Sequence, residues 1–108
     1  MGNAILFNLL TYKDINKGVE EWKTTKGPVL LDVRTKEEYD NYHIEGSLNI
    51  PLDRLDTISQ NIPDKAAPIF VHCLSGGRSA AAADYLKRNG YRHVHDIGGI
   101  CSYNGGTV

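Results

Sequence analysis

APIFVHCLSGGRSAAAADYLKRNG, residues 67 to 90, changes character twice. Ala67 to Cys73 is a short apolar run carrying β-branched and aromatic residues beside a proline, which is how a buried strand reads. Arg78 onward is an alanine-rich run that closes on Asn89-Gly90, a helix C-terminal signal. A strand handed to a helix through a small, glycine-rich loop is one unit of an α/β fold.

The same strand pattern recurs outward from this stretch, at GPVLLDV (27–33) and RHVHDIG (92–98), and more weakly at GSLNIP (46–51). Helical signals fill the gaps. Thr11 followed by Asp14 opens YKDINKGVEEWK (12–23), where Ile15, Val19 and Trp22 fall on one face although Gly18 weakens the middle. Thr35 with Glu38 is a capping-box pattern opening KEEYDNY (36–42), and LDRLDTISQNI (52–62) stops before Pro63. Strands alternating with helices predict an α/β domain with a mostly parallel sheet. In such a sheet the loops leaving the carboxyl ends of the strands gather along one edge. Asp32-Val33-Arg34, Cys73 to Ser79 and Gly98 to Cys101 are therefore expected to meet there, far apart as they are in sequence.

At 108 residues, with 41% hydrophobic and 23% charged residues, the chain has the size and composition of a single globular domain, residues 1–108. It has no apolar run near the roughly 18 residues of a membrane span. MGNAILFNLL lacks the basic region and cleavage site of a secretory signal, so a cytoplasmic location is expected. A net charge of −1 offers no field for nucleic acid, and no membrane partner is expected either. Two cysteines and four histidines show no metal-ligand spacing. His93 and His95 would share one strand face, read as two solvent-facing side chains on an edge strand rather than as ligands. There is no internal repeat and no low-complexity tract.

Chemistry concentrates at Cys73. A thiolate attacks where a thiol does not, so a reactive cysteine needs surroundings that favour negative charge. Ser75-Gly76-Gly77 offers unobstructed backbone N–H groups, the helix starting near Arg78 adds its positive end, and Arg78 adds a forked, permanently charged donor. The same amides would hold an anion in front of the sulfur. Ala80 to Ala83 would let the helix pack closely on the sheet. Against this stands the plain reading of a cysteine as a small buried hydrophobe. The loop composition favours the nucleophile.

Cys73-Leu74-Ser75-Gly76-Gly77-Arg78-Ser79 resembles the C-x-x-G-x-R-S active-site loop of the rhodanese family. Leu30 to Arg34 with Glu38-Tyr39, then His43 to Ser47 and Asn49-Ile50-Pro51, is similar to that family's N-terminal signature, and Gly98-Gly99-Ile100 to its C-terminal one. The match runs in order over about residues 10–108. The resemblance implies a rhodanese-like fold, a central, mostly parallel five-stranded sheet with helices on both faces, and sulfur transfer through a cysteine persulfide. Cys73 would accept a sulfane sulfur from thiosulfate or a persulfide donor and pass it to cyanide or a thiol acceptor. Leu74, Ser75, Gly76, Gly77 and Ser79 would line the cradle, and Arg78 would support the loop and draw in the anionic donor. Asp32 and Arg34 would brace the edge, with Arg34 reaching Glu38 one helical turn away. No metal or organic cofactor is required; the partners would be a small-molecule donor and acceptor, or a protein persulfide donor or acceptor.

Two rival functions share this loop. A cysteine-based phosphatase or arsenate reductase would also carry a His before the Cys, but those phosphatases use C-x5-R, whereas Cys73 and Arg78 enclose four residues. A persulfide carrier with little small-molecule turnover would use the same residues. Cys101 departs from the pattern as a second thiol near the same edge: it would either attack a Cys73 persulfide or be a buried spectator. Tyr103 stands where family members often have Trp.

Overall fold

The computed structural model describes residues 13–108, and its centre is a sheet of four parallel strands. β1 (Val29–Asp32), β2 (Leu48–Asn49), β3 (Ile69–Cys73) and β4 (Val94–Gly99) lie in the order β2-β1-β3-β4. All three pairings are parallel. Each of the four apolar runs became a strand, the weak one reduced to two residues. The five strands implied by the resemblance are four among the described residues. Within 13–108 the segments between strands are taken up by helices and turns, which leaves no run for a fifth.

All five residues of β3 are buried, as a parallel strand covered on both faces must be. On one face Leu31, Ile69, Val71 and Cys73 pack against α4 (Gly77–Arg88) and against α3 (Ile58–Asn61), which continues a 3₁₀ turn at Leu52–Thr57. On the other, Leu30, Phe70 and Ile97 pack against Ile15 and Val19 of α1 (Ile15–Thr24), with Trp22 half-buried beside them. The side chain of Asp14 caps α1 by accepting the N–H groups of Asn16 and Lys17; Thr11 lies outside the described residues. The Thr35–Glu38 capping box is formed and opens α2 (Lys36–Asn41).

Of the four alanines expected to lie on the sheet, only Ala82 and Ala83 are buried, while Ala80 and Ala81 face solvent. A 3.6-residue repeat cannot point four successive side chains one way, so Ser79 and Leu86 complete the face. No helix among the described residues is long and apolar enough to cross a membrane.

Gly18 does more than weaken a helix. It lets α1 lie against β4, and a Cβ there would lie 2.5 Å from Ile97 Cβ. Gly18→Ala gains about 1 kcal/mol in helix propensity, but forcing the helix off the sheet costs ~1–3 kcal/mol. We expect the second effect to win and the urea midpoint to fall; an unchanged or raised midpoint would show that α1 lifts freely.

Candidate active site

β3 ends at Cys73, whose residue is 1% exposed, and the chain must then turn into α4 within three residues. Gly76 makes the turn at φ +114°, a conformation closed to most side chains. The turn swings the Gly76 N–H toward the sulfur, to which it donates at 3.0 Å. The first bond of α4 runs from Ala80 N–H to Gly76 C=O, so the amides of Gly77, Arg78 and Ser79 precede the helical ladder. An N–H aimed at sulfur and the positive end of a twelve-residue helix both favour negative charge at this point.

Two contacts, one from the end of β4 and one from the turn that follows it, hold the loop. A Cβ on Gly99 would lie 2.6 Å from Ser75 Cα, so only glycine admits the loop this close, and Cys101 N–H donates to Leu74 C=O at 3.0 Å. Ser79 Oγ lies 2.8 Å from Asp96 Oδ1 and 3.0 Å from Gly76 O. Asp96 Oδ1 also accepts the Gly98 N–H at 3.1 Å, and Lys13 Nζ stands 3.6 Å from Oδ2. Sequence reasoning passed over Asp96. Its signal was an Asp two residues before a Gly at a strand end, the pattern of a side chain that bonds its own backbone.

The charged groups pair differently from expectation. Arg34 was expected to reach Glu38; instead it folds back on Asp32, with Nη2 2.9 Å and Nε 3.1 Å from Oδ2. Arg34 also donates to Tyr42 C=O at 2.8 Å, and both partners of the pair are buried. The geometry explains this: Asp32 and Arg34 are two apart on an extended chain and share a face. Glu38 is engaged elsewhere. Its Oε1 accepts the Thr35 N–H at 2.9 Å and Arg78 Nη1 at 2.7 Å, and its Oε2 accepts Arg78 Nη2 at 3.0 Å. The Arg78 bond holds the Glu38 carboxyl down at about 2, from an ordinary 4.5. The same bond raises the Arg78 guanidinium.

His72 sits beside Asp32 in the sheet register, fully buried, with Nε2 3.8 Å from Oδ2 and Nδ1 3.3 Å from Cys73 C=O. Burial pushes it below its usual value, which keeps the ring neutral near pH 7. The predicted loops gather at one edge: Gly99 lies against Leu74 and Ser75, and Val33 N–H bonds His72 C=O, the carbonyl just before Cys73. Cys101 is not a buried thiol but an exposed one, on a 3₁₀ turn at Ile100–Ser102. His93 and His95 are exposed, and no cluster of metal-ligating side chains forms among the described residues. A groove between α2 and the first 3₁₀ turn, lined by Thr35, Tyr39, Pro51 and Arg54, contains no loop residue. The thiol, not the groove, locates the chemistry.

The rhodanese-like domain family matches residues 11–106 of the chain. The chain is 38% identical over 71 residues to the thiosulfate sulfurtransferase PspE of Escherichia coli, covering 65% of this chain and 68% of that protein. It is 32% identical to the thiosulfate sulfurtransferase GlpE of Coxiella burnetii, over 84% of this chain and 86% of the relative. A solved rhodanese with anions from E. coli superposes with a TM-score of 0.70 at 34% identity, over 75% of this chain and 96% of that one.

Two outcomes test the charge network. Glu38 has its carboxyl depressed on folding, so its contribution is complete above the unfolded value and is lost as pH falls through the folded one. Thermal melts should show a stability loss between about pH 4.5 and pH 2 that is smaller in Glu38→Gln; equal losses would mean the pair adds nothing. Asp32→Asn leaves the buried Arg34 charge uncompensated and should cost ~3–5 kcal/mol in denaturant unfolding, where a loss under about 1 kcal/mol would contradict the burial of the pair.

Proposed function

The chain belongs to the rhodanese-like domain family, and on that premise we propose that it is a sulfurtransferase acting through a persulfide on Cys73. The Cys73 thiolate attacks the outer sulfur of thiosulfate or of a persulfide donor. The donor's S–S bond breaks, its leaving group takes the bonding pair, and the sulfur stays on Cys73. Cyanide or a thiol then attacks that outer sulfur and carries it away, regenerating the thiolate, so the kinetics are double-displacement.

The observation that carries the reading is the Gly76 N–H aimed at Cys73 Sγ from 3.0 Å, at the start of a helix. A second sulfur on Cys73 would meet the amides of Gly77, Arg78 and Ser79, which no carbonyl of the helix occupies. Leu74 and Ser75 shape the approach, Arg78 holds the loop, and Asp32 with Arg34 braces the strand end beneath it. Residues 1–108 act as one domain in this reading. No metal or organic cofactor takes part in either step. The acceptor is a small thiophile or the thiol of a protein partner, and a cytoplasmic setting, where thiols stay reduced, suits the two free cysteines. Cys101, whose backbone N–H bonds Leu74 C=O, would serve as a second thiol beside the loop.

Thiocyanate production from thiosulfate and cyanide tests the proposal. We expect turnover in the wild type, a loss of at least about 10³-fold in Cys73→Ser, and no phosphate release from para-nitrophenyl phosphate. Phosphate release that depends on Cys73, without thiocyanate, would replace sulfur transfer by phosphoryl transfer.

A further inference from the structure

Among the described residues, the cations set around the loop each stand beside a carboxylate. Arg34 is buried on Asp32, and Arg78 has both arms of its fork on Glu38. In the cleft beside Ser75 and Gly76 the cation among the described lining residues is Lys13, 3.6 Å from Asp96 and next in sequence to Asp14. Paired charges cancel beyond their own separation. What remains to attract an anion is the backbone: Gly76 N–H and the first-turn amides of α4.

Glu38 cannot simply release Arg78. The same carboxylate accepts the Thr35 N–H at 2.9 Å and approaches Thr35 Oγ1 at 3.1 Å, so turning away would uncap α2. It also remains ionised far below neutral pH. The two sulfur donors differ in the charge they bring. Thiosulfate is a dianion; a persulfide carries one negative charge or none at its reacting end.

We infer that Glu38 is a specificity-determining residue: by occupying the Arg78 fork it leaves the donor site to backbone amides and biases it toward persulfide donors over the thiosulfate dianion. The inference rests on the sulfur-transfer reading and narrows its substrate class. The bonds made and broken are the same for both donors. Cys73 thiolate bonds the outer sulfur, the donor S–S bond breaks, and the pair leaves with sulfite from thiosulfate or with a thiolate from RS–SH. Only the charge to be accommodated differs.

The test compares wild type with Glu38→Gln, which retains a capping acceptor at the third helical position while losing the charge. The rate of the one-sulfur mass gain on Cys73 is followed against concentration of thiosulfate and of the persulfide of N-acetylcysteine amide. We expect Glu38→Gln to raise the thiosulfate-to-persulfide ratio of second-order rate constants roughly five- to tenfold. The rise should come from a lower half-saturating thiosulfate concentration and should shrink at about 0.5 M salt. A ratio within about twofold of wild type in a folded variant overturns the inference. Should the variant not fold, the wild type decides: a neutral rim makes its thiosulfate rate change less than about twofold between roughly 0.02 M and 0.5 M salt, and a tenfold fall overturns the inference. If neither donor adds sulfur to wild-type Cys73, the sulfur-transfer reading fails and the inference with it; transfer with an unmoved ratio sinks the inference alone.

Discussion

The buried Asp32–Arg34 pair fixes where the strand ends lie. With Arg34 1% and Asp32 0% exposed, neither charge could be there without the other. Once the pair forms, the backbone around it is pinned at several points. Asp32 C=O accepts the Ile50 N–H and the Asn49 side-chain amide, Arg34 C=O accepts that same amide, and Arg34 itself reaches Tyr42 C=O at the end of α2. β1, β2 and both ends of α2 are thereby referred to a single ion pair. His72, neutral and alongside in the register, closes the cluster toward β3 and places the peptide that precedes Cys73.

A second arginine–carboxylate pair sits above the first and behaves differently because of where it lies. Arg78 and Glu38 are 35% and 29% exposed, so water screens them and their contribution to stability is modest. Their importance is positional. α2 is short and has no buried residue of its own, so its capping box and its neighbours hold it in place. Glu38 closes that box through Oε1 and, with both oxygens, grips Arg78 in the first turn of α4. The orientation of the helix that starts beside Cys73 is coupled in this way to the cap of a helix forty residues earlier. From the opposite side Asp96 grips Ser79 in the same turn. The loop is clamped between two carboxylates, neither of which touches sulfur.

Much of this could be read from residue order. Four apolar runs, the Thr35–Glu38 box and the Asn89-Gly90 stop each depend on neighbours within a turn or a strand, so they survive translation into structure. The meeting of the three loops followed from the parallel sheet alone. What failed were pairings between elements. Helical spacing proposed Arg34 with Glu38, but helical spacing does not apply to Arg34, which leaves a strand; its nearest carboxylate is two residues back. Asp96 went unremarked because its partner is seventeen residues away on another element. The burial expected for Cys101 failed for a local reason: the chain leaves β4 at Gly99 for a 3₁₀ turn, which carries the thiol to the surface.

The neutralised rim also bears on which reaction the loop can run. Phosphoryl transfer spreads charge over three equatorial oxygens and relies on a cationic clamp to stabilise it. In this chain the one arginine of the loop already has its fork filled by Glu38, and the four-residue spacing offers one amide fewer than the C-x5-R arrangement. Attack on a sulfane sulfur makes smaller demands. The charge moves along a line of sulfur atoms from the incoming thiolate to the leaving group, and the product is a persulfide with a single negative charge at most. A few amides converging on one point are suited to that charge. The loop length and the Glu38–Arg78 pair therefore bias the site in the same direction, one by limiting the number of donors and the other by removing the clamp.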